Sequence, residues 1–282
     1  MRGSCQRPSW LAGRRASAFH CPSGGQVCFT AKPVARSTSS NTSLASISEA
    51  GMKNESREQL LYRLRHAFRF RRAYARCADL TMVNRRKYIL SLFIASYYGK
   101  RGGLKDTCYI ECGTWRGGMS FGMMQVLPEI PSWHLFDSFE GLPEATEVDG
   151  EVAVSDQKEG RLKYDNNTAD YQEFLANAER FRLKTQQAHV HRGWFRDTLS
   201  NFVPEKPISV LRLDGDWYDS TLVTLERLYD HVQPKGVILI DDYYRWVGCS
   251  RAVHDFLSSR MSRDRVRSYG PVAYILRGAN KS

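Results

Sequence analysis

The sequence predicts a doubly wound α/β fold with a mostly parallel sheet, an antiparallel C-terminal hairpin and N-terminal helices. Three observations predict it. From about residue 108 onward, short apolar runs ending in Gly or Asp alternate with stretches of helical periodicity, the pattern of βαβ units. One such run passes through a glycine-bearing turn straight into a helix, Tyr109-Ile110-Glu111-Cys112-Gly113-Thr114-Trp115-Arg116-Gly117-Gly118. The 282 residues also suit one core plus extensions, since single cores of this kind run past roughly 200 residues before a chain splits.

The chain opens with a basic leader. Residues 1–51 carry six Lys or Arg and one acid, Glu49, and residues 1–48 hold ten serines and no acid. That composition fits an organelle transit segment, and equally a natural start at Met52, where acid-bearing, helix-compatible sequence begins. On either reading residues 1–51 are expected to lack a packed core. The compartment is expected to be the cytoplasm, or a plastid or mitochondrion if the leader is a transit peptide. Of the net charge of +11, the rest of the chain keeps +6, which is ordinary. Only the run Arg63, Arg65, Arg69, Arg71, Arg72, Arg76 is dense enough to attract acidic partners, and a solvated helix face is the favoured reading of it. The seven scattered cysteines show no CxxC spacing, which points to a reduced compartment. The longest nearly apolar run, Tyr88 to Tyr98, is far short of the roughly 20 residues that span a bilayer. A soluble protein without a membrane partner is expected.

Helices are predicted between Ser56 and Tyr98, with a break near Asp79 to Asn84, as a helical extension over residues 52–100 laid before a core at 101–282. Within that core, strands are placed at Cys108–Cys112, Trp133–Phe136, Ile208–Leu213 and Val237–Ile240, with a further presumed strand ending near His189 and His191. Helices are expected at about Gly118–Val126, Ala169–Phe181, Ser220–His231 and Ser250–Arg260. Runs Val266–Tyr269 and Val272–Arg277 flank Gly270-Pro271 and read as an antiparallel pair.

Glycines in the turn after the first strand let the backbone approach a ligand closely. The spacing is E-x-G-x-x-x-G, with Glu111 where a dinucleotide fingerprint has its first glycine. Bare amides at a helix N-terminus suit a pyrophosphate, whereas a cofactor carrying an ammonium and a sulfonium gains from a carboxylate. Twenty-four residues beyond Gly113, the second strand runs into Asp137, placed to accept hydrogen bonds from ribose hydroxyls. Either acid taken alone reads as a turn or a helix cap.

The strand Ile208–Leu213 ends at Asp214, and 27 residues later the next ends at Asp241-Asp242. Carboxyl ends of adjacent parallel strands face one crevice, so the three acids converge. They would repel one another without a cation, and an all-oxygen set suits Mg²⁺, Mn²⁺ or Ca²⁺ over zinc. Asp216 is expected to point elsewhere by strand alternation. No histidine is assigned a catalytic role.

Five ordered segments then carry a resemblance: Glu111–Gly118 (ECGTWRGG), Asp137–Pro143 (DSFEGLP), Gly193–Leu199 (GWFRDTL), Leu211–Thr221 (LRLDGDWYDST) and Asp241-Asp242-Tyr243. Together they resemble the macrocin O-methyltransferase family, metal-dependent enzymes acting on sugar hydroxyls. The resemblance implies a class I, Rossmann-like methyltransferase fold. It implies S-adenosylmethionine at Glu111, Gly113, Thr114, Trp115, Gly117, Asp137, Ser138 and Gly141, with Thr81, Met82 and Trp194 lining the pocket. It also implies Mg²⁺, or Mn²⁺, at Asp214, Asp241 and Asp242, with Asp214 as the catalytic member. The implied activity is metal-assisted methyl transfer to a hydroxyl of a sugar or glycosylated small molecule. The leader, the arginine-rich helix and the stretch Glu144–Asn167 depart from the family pattern, so the acceptor is not carried over. A catechol or phenolic acceptor fits the same metal logic, and a homo-oligomer stays open. An RNA methyltransferase is disfavoured because acids at the acceptor site repel phosphates, and a nicotinamide oxidoreductase because of Glu111.

Overall fold

A computed structural model describes residues 56–181 and 188–278. The basic leader, with its expected lack of a core, lies outside them. Helix α1 (Arg57–Cys77) starts at a capping box, in which the Ser56 hydroxyl accepts from the Gln59 amide and the Gln59 side chain accepts from the Ser56 amide. These bonds satisfy donors that a helix start leaves open. A single 3₁₀ turn, Ala78–Leu80, breaks the helical run as the sequence predicts. Helix α2 (Arg85–Gly102) follows from an Asn84 cap and stops at Gly103, whose φ of +91° no L side chain favours.

Strands and helices alternate thereafter, with two helices between β2 and β3 and a closing pair of strands: β1 (Cys108–Cys112), α3 (Gly118–Val126), β2 (Ser132–Asp137), α4 (Glu151–Lys158), α5 (Tyr171–Arg180), β3 (Ala188–Arg192), the one-turn α6 (Phe195–Thr198), β4 (Ile208–Leu213), α7 (Tyr218–Leu228), β5 (Val232–Ile240), α8 (Val247–Ser259), β6 (Val266–Tyr269) and β7 (Val272–Leu276). The sheet order is β3-β2-β1-β4-β5-β7-β6. The first five are parallel neighbours, and β7 and β6 run antiparallel as the C-terminal hairpin. This is the doubly wound, mostly parallel sheet predicted from the alternation. Strand β5 begins five residues earlier than Val237, because Val232 already pairs with Ile208 beyond a register shift.

Alternating side chains feed two cores. Tyr109, Trp133, Val210 and Val237 pack with α1, α2, α3 and α5 on one face, while Ile110, Phe136, Leu211 and Ile238 pack with α7 and α8 on the other. Strands buried on both faces read as unbroken apolar runs, which is why β1 and β4 were legible. Chain order reverses between β1 and β4, so the loops leaving these strands diverge and open a crevice at their carboxyl ends. No helix among the described residues is long and apolar enough to cross a membrane.

Candidate active site

A cavity of about 230 Å³ occupies that crevice, at the carboxyl ends of β1, β2, β4 and β5. Its first wall is the turn after β1. Gly113 has φ +96°, and a Cβ there would sit 1.9 Å from the Asp214 carbonyl oxygen. Only glycine lets the turns after β1 and β4 lie so close, which ties the cofactor-type loop to the acidic one. Gly117 (φ +85°) starts α3 with the Phe121 ring against it and does not line the cavity. The other ten residues expected at the cofactor (Thr81, Met82, Glu111, Gly113, Thr114, Trp115, Asp137, Ser138, Gly141 and Trp194) all line it.

Two of these carboxylates do more locally than the sequence suggests. Asp137 Oδ2 accepts from the amides of Thr114 (2.8 Å) and Trp115 (2.7 Å), and Oδ1 accepts from that of Phe139 (2.7 Å). It therefore shapes the loop after β1 as well as facing the cavity. Glu111 is fully buried and accepts from the Tyr109 hydroxyl (2.7 Å), the Ser120 hydroxyl (2.5 Å) and the Arg212 guanidinium (2.7 Å). Both its oxygens are engaged within the protein.

The second wall is acidic. Asp214, Asp241 and Asp242 each offer one oxygen within 4.8 Å of the others. The Asp214 amide donates to the Cys112 carbonyl and the Asp241 amide to the Leu213 carbonyl, both at 2.9 Å, so sheet pairing itself carries these acids into register. Two cations share the cluster. Arg212, 1% exposed, holds Glu111 and Asp214 through Nη1 and Asp241 through Nη2, each at 2.7 Å. Lys87, from the first turn of α2, donates to Asp241 Oδ2 at 2.5 Å and to its carbonyl at 2.6 Å. Burial pushes the Asp241 carboxyl up, but Lys87 and Arg212 outweigh it and hold the group down at about 2. Asp242 makes no ion pair among the described residues, and Lys87 only partly offsets what surrounds it. Burial, then repulsion from Asp216 and Asp241, pushes it up to about 8, and its Oδ2 is a buried acceptor with nothing bonded to it. A buried oxygen left open among three convergent carboxylates fits a bound oxygen-preferring cation.

Asp216 lines the same cavity, contrary to the expectation that it points away. Alternation holds only while the chain stays extended, and Asp216 has left the strand with φ +57°. The Trp246 indole donates to its Oδ1 at 2.7 Å, and burial followed by repulsion from Asp214 raises its carboxyl to about 7. Lys87, Arg212 and Asp216 are among the cavity residues that sequence reasoning missed. Arg212 had one signal, a lone charge inside an otherwise apolar strand. Part of the stretch with no recognised motif also closes the cavity. Leu162, Lys163 and Asn167 line it, on a left-handed turn (φ 47–60° from Tyr164 to Asn167) that Asn166 ties to Leu142 through bonds of 3.0 and 2.7 Å.

The chain is similar to known proteins over the region that builds this site. A family model described as Macrocin-O-methyltransferase (TylF) matches residues 105–269. The chain is 38% identical over 154 residues to the 8-demethyl-8-(2,3-dimethoxy-alpha-L-rhamnosyl)-tetracenomycin-C 4'-O-methyltransferase of Streptomyces olivaceus, covering 52% of this chain and 56% of that protein. It is 32% identical over 154 residues to the demethyldecarbamoylnovobiocin O-methyltransferase of Streptomyces niveus, with the same coverages. The chain thus spans a little over half the length of these curated relatives. Among solved structures, the O-methyltransferase NovP superposes with a TM-score of 0.57 at 26% identity, over 67% of this chain and 80% of that one.

Proposed function

The chain belongs to the macrocin-O-methyltransferase family, and from that premise we propose that it is an S-adenosylmethionine-dependent, Mg²⁺- or Mn²⁺-assisted O-methyltransferase acting on a hydroxyl of a glycosylated small molecule. One observation carries the reading: the loop held by Asp137 and the acids Asp214, Asp241 and Asp242 line one cavity. The relatives named for O-methylation of a rhamnosyl-tetracenomycin and of demethyldecarbamoylnovobiocin support the acceptor class.

In this reading Thr81, Met82, Gly113, Thr114, Trp115, Ser138, Gly141 and Trp194 hold the cofactor. Asp137 serves twice, bonding the loop amides and meeting the ribose from the cavity side. A divalent ion held by Asp214, Asp241 and Asp242 would supply Lewis-acid chemistry that orients the acceptor hydroxyl and makes it more acidic. Methyl transfer breaks the carbon–sulfur bond, forms the carbon–oxygen bond and leaves a neutral thioether. The hydroxyl proton needs a home; outside the triad, Glu111 and Asp137 spend their oxygens on hydrogen bonds within the protein, so Asp216, which also lines the cavity, receives that proton. Positioning of the two reactants is worth about 7–11 kcal/mol of barrier, which makes the shaping of the cavity by Asp137 and Arg212 as important as any single proton transfer.

Thermal melts with cofactor test this directly. S-adenosylmethionine or its demethylated product at about 100 times its Kd adds about 2.7 kcal/mol of stability, and NAD leaves the melt unchanged. Methyl transfer to a glycoside panel stops in EDTA and returns with Mg²⁺ or Mn²⁺. A melt that responds to NAD alone defeats the methyltransferase reading, and full turnover in exhaustive chelator removes the metal from it.

A further inference from the structure

The arginine-rich helix α1 plays no part in this cavity chemistry, and it is two-faced. Its inner face is fully packed, with Phe70 and Ala73 each 1% exposed and Cys77 at 0%. Its outer face carries an apolar ridge at helical spacing: Leu61 is 56% exposed, Leu64 59% and Phe68 77%. Exposed side chains of this size at i, i+3 and i+7 form one continuous stripe. Arg57, Arg65, Arg71 and Arg72 stand exposed around it, with no hydrogen bond or ion pair among the described residues. Arg69 and Arg76, by contrast, turn inward and donate to Gln125. The one acid of the helix, Glu58, is taken up by Arg101.

Charge decides what can cover such a ridge. A second copy of the same helix would bring four further arginines and no free acid, and the basic leader would add more positive charge. An anionic partner is required. The ridge is also convex, a single helix lying on the surface, so it offers a rigid partner no pocket but can sink side chains into a fluid boundary between headgroups and acyl chains. We propose that the outer face of α1 docks this protein on anionic phospholipid membranes, with Leu61, Leu64 and Phe68 entering the interface and the arginines meeting lipid phosphates. The sequence expectation of no membrane partner rested on the lack of a spanning segment. Surface adsorption needs none. The chain leaving α1 runs within a few residues into Leu80, Thr81 and Met82 of the cavity wall, so the docking helix is joined directly to a segment of the site.

Vesicle co-sedimentation of the full chain tests the proposal, using phosphatidylcholine alone and phosphatidylcholine with phosphatidylserine. Wild type is expected to partition onto the anionic vesicles and to be released by salt. The Arg65→Gln, Arg72→Gln double variant is expected to lose about thirtyfold in partition, and Leu64→Gln, Phe68→Gln about tenfold or more. All four positions are exposed, so circular dichroism and melting should match wild type. As an independent readout, the emission of a Phe68→Trp variant shifts to the blue on anionic vesicles only. Failure of wild type to bind anionic vesicles at low salt overturns the proposal, as does binding that both double variants retain, which would place adsorption in the leader. A dimer in solution that Phe68→Gln dissociates, without vesicle binding, would assign the ridge to a second copy instead.

Discussion

Arg212 shows how one side chain organises the site. A guanidinium cannot shed its charge, so burying it at 1% exposure inside β4 obliges the fold to surround it with anions, and Glu111, Asp214 and Asp241 supply them from β1, β4 and β5. Breaking such a set is costly because it strands buried charge. Arg212→Met is expected to lower stability by about 3–5 kcal/mol, read from urea unfolding, and to do so without metal or cofactor present. Glu111→Gln should cost less, since Arg212 keeps Asp214 and Asp241. A change below about 1 kcal/mol for Arg212→Met would mean that the carboxylates repel one another too little to need it. The triad itself was legible from its strand-end spacing, but its counter-ions were not. Lys87 lies 154 residues from Asp241 and reads in sequence as an exposed cation in a helix's first turn.

At the scale of the element, β3 is the informative strand. Among the described residues it pairs only with β2, and it places His189 beside His134 and His191 beside Phe136. Period-two alternation puts all four rings on one face, where His134 Nδ1 and His191 Nε2 lie 3.2 Å apart and Phe202 meets the rings edge-on. Burial, then the charges of His191 and His189, lower His134 from 6.5 to about 4. The group is therefore neutral in the fold and becomes protonated first in the unfolded chain as pH falls. Its contribution to stability is present above about pH 6.5 and is lost as pH drops towards about 4. Melting temperatures over that window should fall less steeply for His134→Leu than for wild type. Identical slopes would show that the cluster does not govern acid sensitivity.

At the largest scale, the described residues form two cores back to back on one sheet. Central strands β1 and β4 contribute alternate side chains to both, as Tyr109 and Ile110 or Val210 and Leu211 do. Neither core can open without exposing the other's strands, so the domain should unfold as a unit. Hydrogen exchange should then give the slowest amides of β1, β2, β4 and β5 one shared opening free energy, equal to that from urea unfolding. A markedly lower value for β4 and β5 than for β1 and β2 would instead divide the molecule at the crevice that holds the site.

The sequence by itself determined the kind and order of the core elements apart from the short helices α4 and α6, the glycine turn after β1 and the three strand-end acids. Those features are local: apolar periodicity names a strand or helix, and in a doubly wound sheet every carboxyl-end loop must face the same crevice. Tertiary structure alone decided that Lys87 and Arg212 share the acids, that Asp137 spends its oxygens on loop amides, that Asp216 turns back into the cavity, and that the left-handed turn at Tyr164–Asn167 closes it. Each depends on a contact between residues distant in the chain, or on a backbone angle outside the regular elements, and no periodicity records either.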